Sequence, residues 1–270
     1  MKRENKKFLK VLIIMSLSMG ILSLMLMLIS NVRDKNNTYI SIDVDTMELI
    51  QLEKPKEGDP IAIVETSLGE FRFVLYPDRC PEAVKNFTEL AESGYYDNTY
   101  IYDSNSGAYS SGGSKKKDGS FDSSDSHEHI KRELDQDLWP FRGAVCCDIT
   151  LFDRSFKEKI LGGGTYYCGS RLTFVNTIEF TDDIKKQLRE SSAGEKLSDA
   201  FISLGGIPNF SQQMTVIGQT YQGLDVIDKL ASVDAVDNGM YHTPSDDVMI
   251  LSVRTDTYSE QEKPTESVDD

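Results

Sequence analysis

The chain has 270 residues, 39% of them hydrophobic and 27% charged, and carries a net charge of -15. That length allows one large domain or two small ones around a buried core. So acidic a surface repels phosphate backbones, which argues against nucleic acid as a partner.

The N-terminus departs from this balance. Residues 1–10 hold five basic side chains (Lys2, Arg3, Lys6, Lys7, Lys10) against Glu4, a local charge of +4 that leaves -19 on the rest. Val11 to Val32 then runs without a charged residue. As a helix those residues extend roughly 33 Å, enough to cross a bilayer core. The basic flank places residues 1–10 in the cytoplasm and sends the remainder out. The apolar run is long, and no small-x-small cleavage site or lipidation cysteine follows it. An uncleaved, single-pass signal anchor over 11–32 is therefore expected, with the main domain extracytoplasmic.

Residues 33–57 read as a polar linker with room for a short strand in "TYISIDVDTMELIQLEKPKEGD". "IAIVETSLGEFRFVLY" gives two strands, Ile61–Thr66 and Glu70–Tyr76, around a Ser67-Leu68-Gly69 turn. "PDRCPEAVKNFTELAESG" is a helix, because Ala83, Val84, Phe87, Leu90 and Ala91 recur at spacings of three and four. Further strands fall on "FRGAVCCDI", "SRLTFVNTIEF", "MTVIGQT" and "DDVMILSVRTDT". Thr181 is set to cap a helix, and "YQGLDVIDKLASV" forms another. Residues 257–270 form an acidic, disordered tail. Many short strands with two helices predict a closed, mostly antiparallel β-barrel capped by those helices.

Four cysteines, Cys80, Cys146, Cys147 and Cys168, lie in the part expected to be exported, where disulfides persist. They have no C-x-x-C spacing, which leaves zinc and dithiol chemistry without support. On a strand, adjacent Cys146 and Cys147 should point to opposite sides, and pairing with Cys168 stays open. His127-Glu128-His129 has a metal-like spacing but no third ligand, so no metal site is expected. Ser114-Lys115-Lys116-Lys117 matches S-x-x-K without the K-T-G and S-D-N partners of acylating enzymes. Gly162-Gly163-Gly164 lacks the Lys-Ser/Thr of a phosphate loop.

"GDPIAIVETSLGEFRFVLYPDRCPEAVKNFTELAESGYYDNT" resembles the opening of the cyclophilin-type peptidyl-prolyl isomerases, with its Thr-Ser-Leu-Gly turn, Tyr-Pro, and Pro-x-x-Val-x-Asn-Phe helix. The likeness resumes at "WPFRGAV", "GSRLTFV" and "GGIPNFSQQMTVIGQTYQGLDVIDKLASV", so that it spans about Gly58 to Thr255. It implies a cyclophilin-like domain over 58–256. It also implies a proline-containing peptide, or a segment of an exported protein, as the partner. No cofactor is needed.

The same likeness makes "NTYIYDSNSGAYSSGGSKKK" an active-site segment whose working side chains have been exchanged. The family's Phe-His-Arg-Val and Phe-Met-x-Gln-Gly-Gly fall here on Tyr102 for histidine and Asp103 for arginine. Ala108 stands for the pocket phenylalanine, Tyr109 for methionine and Ser111 for glutamine. Farther on, Arg171 replaces the glutamine of Gly-Ser-Gln, and Thr173 the second phenylalanine after it. Asn209 replaces tryptophan, and Met214 histidine. The family's arginine donates to the prolyl nitrogen as amide conjugation is lost, against a barrier of roughly 18–20 kcal/mol. An ionised Asp103 cannot donate. Asp103 and Arg171 are expected to pair across the groove; the alternatives are that they are independent, or that Arg171 supplies the donor from the other wall. The expected function is thus a cyclophilin-type isomerase with weak or lost catalysis. The alternatives are a non-catalytic peptide- or protein-binding module and a structural component of a cell-envelope complex.

Overall fold

The computed structural model describes Met15 and residues 18–20, 22–28, 39–121, 130–151, 156, 165–191 and 194–260. The chain divides into two units, Met1–Tyr39 with Leu151–Thr165, and Ile40–Thr150 with Tyr166–Asp270. In the first, the described residues of the 11–32 run are helical. The rest of that run lies outside the described residues, and no helix among those described is long and apolar enough to cross a membrane.

The second unit opens with two strands that are apolar on both faces. In β1 (Pro60–Thr66), Ile61 to Val64 are all buried, and in β2 (Gly69–Leu75), Phe71 and Phe73 to Leu75 are. Thr66 turns the chain between them: its hydroxyl donates to Gly69 O at 2.7 Å and accepts from Leu68 N at 3.1 Å. The next elements are α1 (Pro81–Glu92), β3 (Thr99–Asn105), β4 (Tyr109–Ser114), β5 (Ile130–Lys131), β6 (Ala144–Leu151) and β7 (Tyr166–Val175). They are followed by α2 (Asp182–Arg189), α3 (Glu195–Leu204), β8 (Thr215–Gln222), α4 (Leu224–Ala231), β9 (Ala235–Asp237), β10 (His242–Pro244) and β11 (Met249–Thr257).

Hydrogen-bonded neighbours run β4-β3-β11-β1-β2-β8-β6-β7, and β7 also pairs with β4. This closes an eight-stranded barrel and removes its free edges. β5 adds to β7, while β9 and β10 form a separate two-stranded ribbon.

Phe71, Phe73, Phe87, Leu172, Phe174 and Ile217 are among the side chains of the main core. Two helices cap it, as expected. α1 buries the five apolar residues read from its spacing, and α4 buries Val226, Ile227, Leu230 and Ala231. Val226 sits so close to Gly69 that a Cβ there would lie 2.8 Å from it.

Beyond those caps, α2 is the helix expected behind Thr181, and α3 is an addition that the sequence reading lacked. Thr181 does cap α2, accepting from Ile184 N at 3.4 Å. α3 joins Met47, Trp139 and Phe141 in a second core with Leu197 and Phe201. The linker expected over 33–57 is described from Tyr39, and it is a strap with no strand. It carries a 3-10 turn at Ile50–Leu52 and buries Met47 and Gln51. The Gln51 amide fixes it, donating to Trp139 O at 2.8 Å and accepting from Trp139 N at 2.6 Å.

All four cysteines are free thiols and buried. Cys146 and Cys147 do not split between core and surface. Ala144 to Cys147 are buried without a break, so β6 is covered on both faces and alternation separates nothing.

Candidate functional site

β4 looks like a loop in composition, yet Ser110 to Ser114 are all buried. Small residues are required there. A Cβ on Gly112 would meet Ile101 at 2.8 Å and Ile250 at 3.0 Å, and Gly113 has φ +90°. A tight turn precedes the strand: Ser106 and Gly107 both take positive φ, and Ala108 N donates to Asn105 O at 2.8 Å. Asn176 holds this turn, its side chain donating to Gly107 O and its backbone to Ala108 O, each at 2.8 Å.

Register then brings three of the anticipated groove residues into one row. Asp103 on β3 stands opposite Ser111 on β4, and Ser111 stands opposite Thr173 on β7. Arg171 lies two residues along β7, on the same face as Thr173. The Ser111 and Thr173 hydroxyls are 2.9 Å apart, and Thr173 donates to Asp148 Oδ1 in a short bond. Tyr102 donates to Asp148 Oδ2 at 2.6 Å. A chain of hydroxyls and one carboxyl therefore crosses β4, β7, β6 and β3.

Asp148 keeps some exposed surface but sits deep in the protein, and burial pushes its carboxyl pKa up. Hydrogen bonds from Thr173 and Tyr102 and the charge of Arg171 oppose that rise, and Asp103 adds to it. The Tyr102 hydroxyl is raised well above its ordinary value, first by burial and then by the Asp148 charge.

The ion pair anticipated between Asp103 and Arg171 is not formed. Asp103 accepts from His242 N at 2.8 Å, with the imidazole Nδ1 3.7 Å away. Arg171 lies over the rings of Tyr102 (4.7 Å) and Phe121 (4.0 Å) and donates to Tyr241 OH at 3.4 Å. Each takes a partner from the distant segment around Tyr241 and His242 instead. Tyr241 in turn packs edge-on against Tyr102, ring centroids 4.8 Å apart.

Tyr109 adjoins the row, two residues along β4 from Ser111 and accepting from the Asn105 amide at 3.3 Å, whereas the other groove positions are dispersed. Ala108 packs at the turn against the main core, and Tyr109 meets Phe210 edge-on at 5.4 Å. Asn209 is exposed beside Phe210, in the 3-10 turn Pro208–Phe210. Met214 faces a narrow cleft with Cys80, Leu138, Phe210 and Val216. Among the described residues, no contact carries Asn209 or Met214 into the Asp103–Thr173 row.

Sequence reasoning missed Asp148, Phe121, Tyr241 and His242. Asp148 did leave a signal, an acid between Cys147 and Ile149 in an apolar strand. No metal cluster occurs among the described residues, and His127 and His129 lie outside them.

Because the folded carboxyl titrates above the ordinary 3.8, the stability contributed by Asp148 is fully present below 3.8 and is lost as pH rises through the folded value. Asp148→Asn removes that dependence. Urea unfolding at successive pH values should show the variant gaining on the native chain above pH 3.8 and levelling off beyond the folded value. The gain has an upper slope of about 1.4 kcal/mol per pH unit. A pH-independent difference would contradict the assignment.

The profile of the family described as "Cyclophilin type peptidyl-prolyl cis-trans isomerase/CLD" matches residues 61–255. A Streptococcus pyogenes protein, named provisionally as a bifunctional phosphatase/peptidyl-prolyl cis-trans isomerase, is 25% identical over 209 residues, covering 77% of this chain and 41% of the relative. A Staphylococcus saprophyticus protein, named provisionally as a peptidyl-prolyl cis-trans isomerase, is 25% identical over 204 residues, covering 75% of this chain and 95% of the relative. Thus the chain spans less than half of the streptococcal protein and nearly all of the staphylococcal one. Among solved structures, a Cryptosporidium parvum cyclophilin type isomerase superposes with a TM-score of 0.51 at 18% identity, over 75% of this chain and 99% of that one. A second structure of it, in the presence of the dipeptide Ala-Pro, gives 0.50 at 18% identity, over 74% and 99%. With the matched profile covering well over half of its length, the chain belongs to the cyclophilin-type peptidyl-prolyl cis-trans isomerase family.

Proposed function

We propose that this member of the family binds peptide in its groove but has weak or no isomerase activity. The observation that carries the reading is at Asp103. The position where the family resemblance puts a donating arginine holds a carboxylate, 6% exposed, that itself accepts a hydrogen bond from His242 N. An acceptor has the wrong polarity to stabilise a prolyl nitrogen that gains electron density as the amide twists. Loss of one preorganised donor commonly costs on the order of a hundredfold in rate or more. Ser111, Thr173 and Asp148 also make the floor polar, where an apolar ring gains little.

The test is proline isomerisation followed with the full chain in detergent. A Pro-containing peptide relaxes uncatalysed in tens of seconds, and micromolar protein should leave that time unchanged. Acceleration to about a second or less would refute the reading. If Arg171→Ala abolished such acceleration, Arg171 would be the donor.

The chain is also proposed to be anchored by residues 11–32, with its barrel outside the cytoplasm. The support is the uncharged run behind a basic flank. Expressed in bacterial cells, it should stay in the membrane pellet through alkaline extraction, and its barrel should be cut by protease added outside spheroplasts. Release into the supernatant would sink the proposal.

A further inference from the structure

One guanidinium edge in the groove is unused. Arg171 is 6% exposed, its two neighbouring rings lie at 4.7 and 4.0 Å, and its Nη1 reaches only the Tyr241 hydroxyl at 3.4 Å. Its Nη2 is buried with no hydrogen-bond partner among the described residues. Both nearby carboxylates are engaged elsewhere, Asp103 by His242 N and Asp148 by Thr173 and Tyr102. A buried charged donor without an acceptor is costly, so it marks a place that a ligand oxygen would fill.

The surroundings specify that oxygen. Asp103 and Asp148 are acids of the same groove, and a ligand carboxylate would bring further negative charge beside them. An uncharged acceptor avoids that repulsion, and an extended peptide offers one at every residue. The described pocket positions give proline little to select it: Ala108 is short, Tyr109 spends its ring on Phe210, and Ser111 and Thr173 spend their hydroxyls on the chain leading to Asp148.

Tyr241 occupies the neighbouring N–H through the only acceptor on its side chain. It comes from the β9–β10 ribbon, which Asp103 ties down at His242 N. The fit beneath it is close: a Cβ on Gly119 would lie 2.6 Å from Tyr102 and 2.7 Å from Tyr241. Phe121, the other ring beside the guanidinium, is 62% exposed.

We propose that the groove holds an extended peptide through the Arg171 guanidinium, without regard to proline, and that the Tyr241 hydroxyl keeps the ligand's place until the ribbon yields. The proposal rests on the peptide-binding reading above and goes further by naming the gripping residue and the selectivity.

The experiment titrates the full chain in detergent with two fluorescently labelled, C-terminally amidated tetrapeptides, Ala-Ala-Pro-Ala and Ala-Ala-Ala-Ala. Their Kd values should agree within about threefold. Arg171→Met should weaken both by about tenfold or more, the loss of one charge-assisted hydrogen bond. Tyr241→Phe keeps the ring and removes the competing oxygen, so it should tighten both several-fold. A tenfold preference for the proline peptide, or unchanged binding in both variants, overturns the inference and leaves the peptide-binding reading standing. If circular dichroism shows Arg171→Met unfolded, Tyr241→Phe decides alone. Binding of neither peptide, to the native chain or to Tyr241→Phe, overturns the peptide-binding reading and this inference with it.

Discussion

A carboxylate taken out of water must be given donors, and the carboxylate of Asp103 takes its donor from the backbone of His242. Much of the groove follows from that bond. It holds the β9–β10 ribbon against β3, and with the ribbon comes Tyr241, which closes on Tyr102 and reaches Arg171. Arg171 is thereby held beside aromatic rings and kept from pairing with Asp103. On the proposed reading, an acid at Asp103 where the family resemblance calls for arginine would change both the chemistry of the groove and what lies over it.

The floor obeys the same rule. Asp148 could not be kept in β6 without partners, and Thr173 and Tyr102 supply them from β7 and β3. Ser111 extends the chain to β4. Four neighbouring strands are tied at one level by hydroxyls and one carboxyl, where the family resemblance calls for an apolar pocket. Such a network is rigid when every member is satisfied, but it suits a polar, hydrogen-bonding ligand better than a hydrocarbon ring. Catalysis of amide rotation needs a donor aimed at nitrogen, and the two carboxyls of this floor are acceptors when ionised.

The barrel was legible because its signals are local. The apolar run Ile61–Val64, the three-and-four spacing of Ala83 to Ala91 and the Thr181 cap each fix an element from a few neighbouring residues. The resemblance named Asp103, Ser111 and Thr173, and register sets them side by side on β3, β4 and β7. Partners contributed by distant segments were not legible. Tyr241 and His242 meet β3 from more than 130 residues away, and nothing in "NGMYHTP" announces it. The second core was hidden for the same reason, because Met47 belongs with Trp139 and Phe201 only once the strap is laid across the barrel. Cys146 and Cys147 show a different limit: a strand covered on both faces carries no alternation to read.

Separating binding from turnover tests the central claim most directly. Proton exchange spectroscopy on a Pro-containing peptide, held in excess over the full chain, reports both at once. Shifted peptide signals report binding, and cross-peaks between cis and trans forms report catalysed interconversion. The account predicts shifts without cross-peaks at mixing times of about a second, since uncatalysed exchange takes tens of seconds. Cross-peaks at sub-second mixing would mean that the groove still turns the prolyl bond, and that an acceptor at Asp103 does not prevent it.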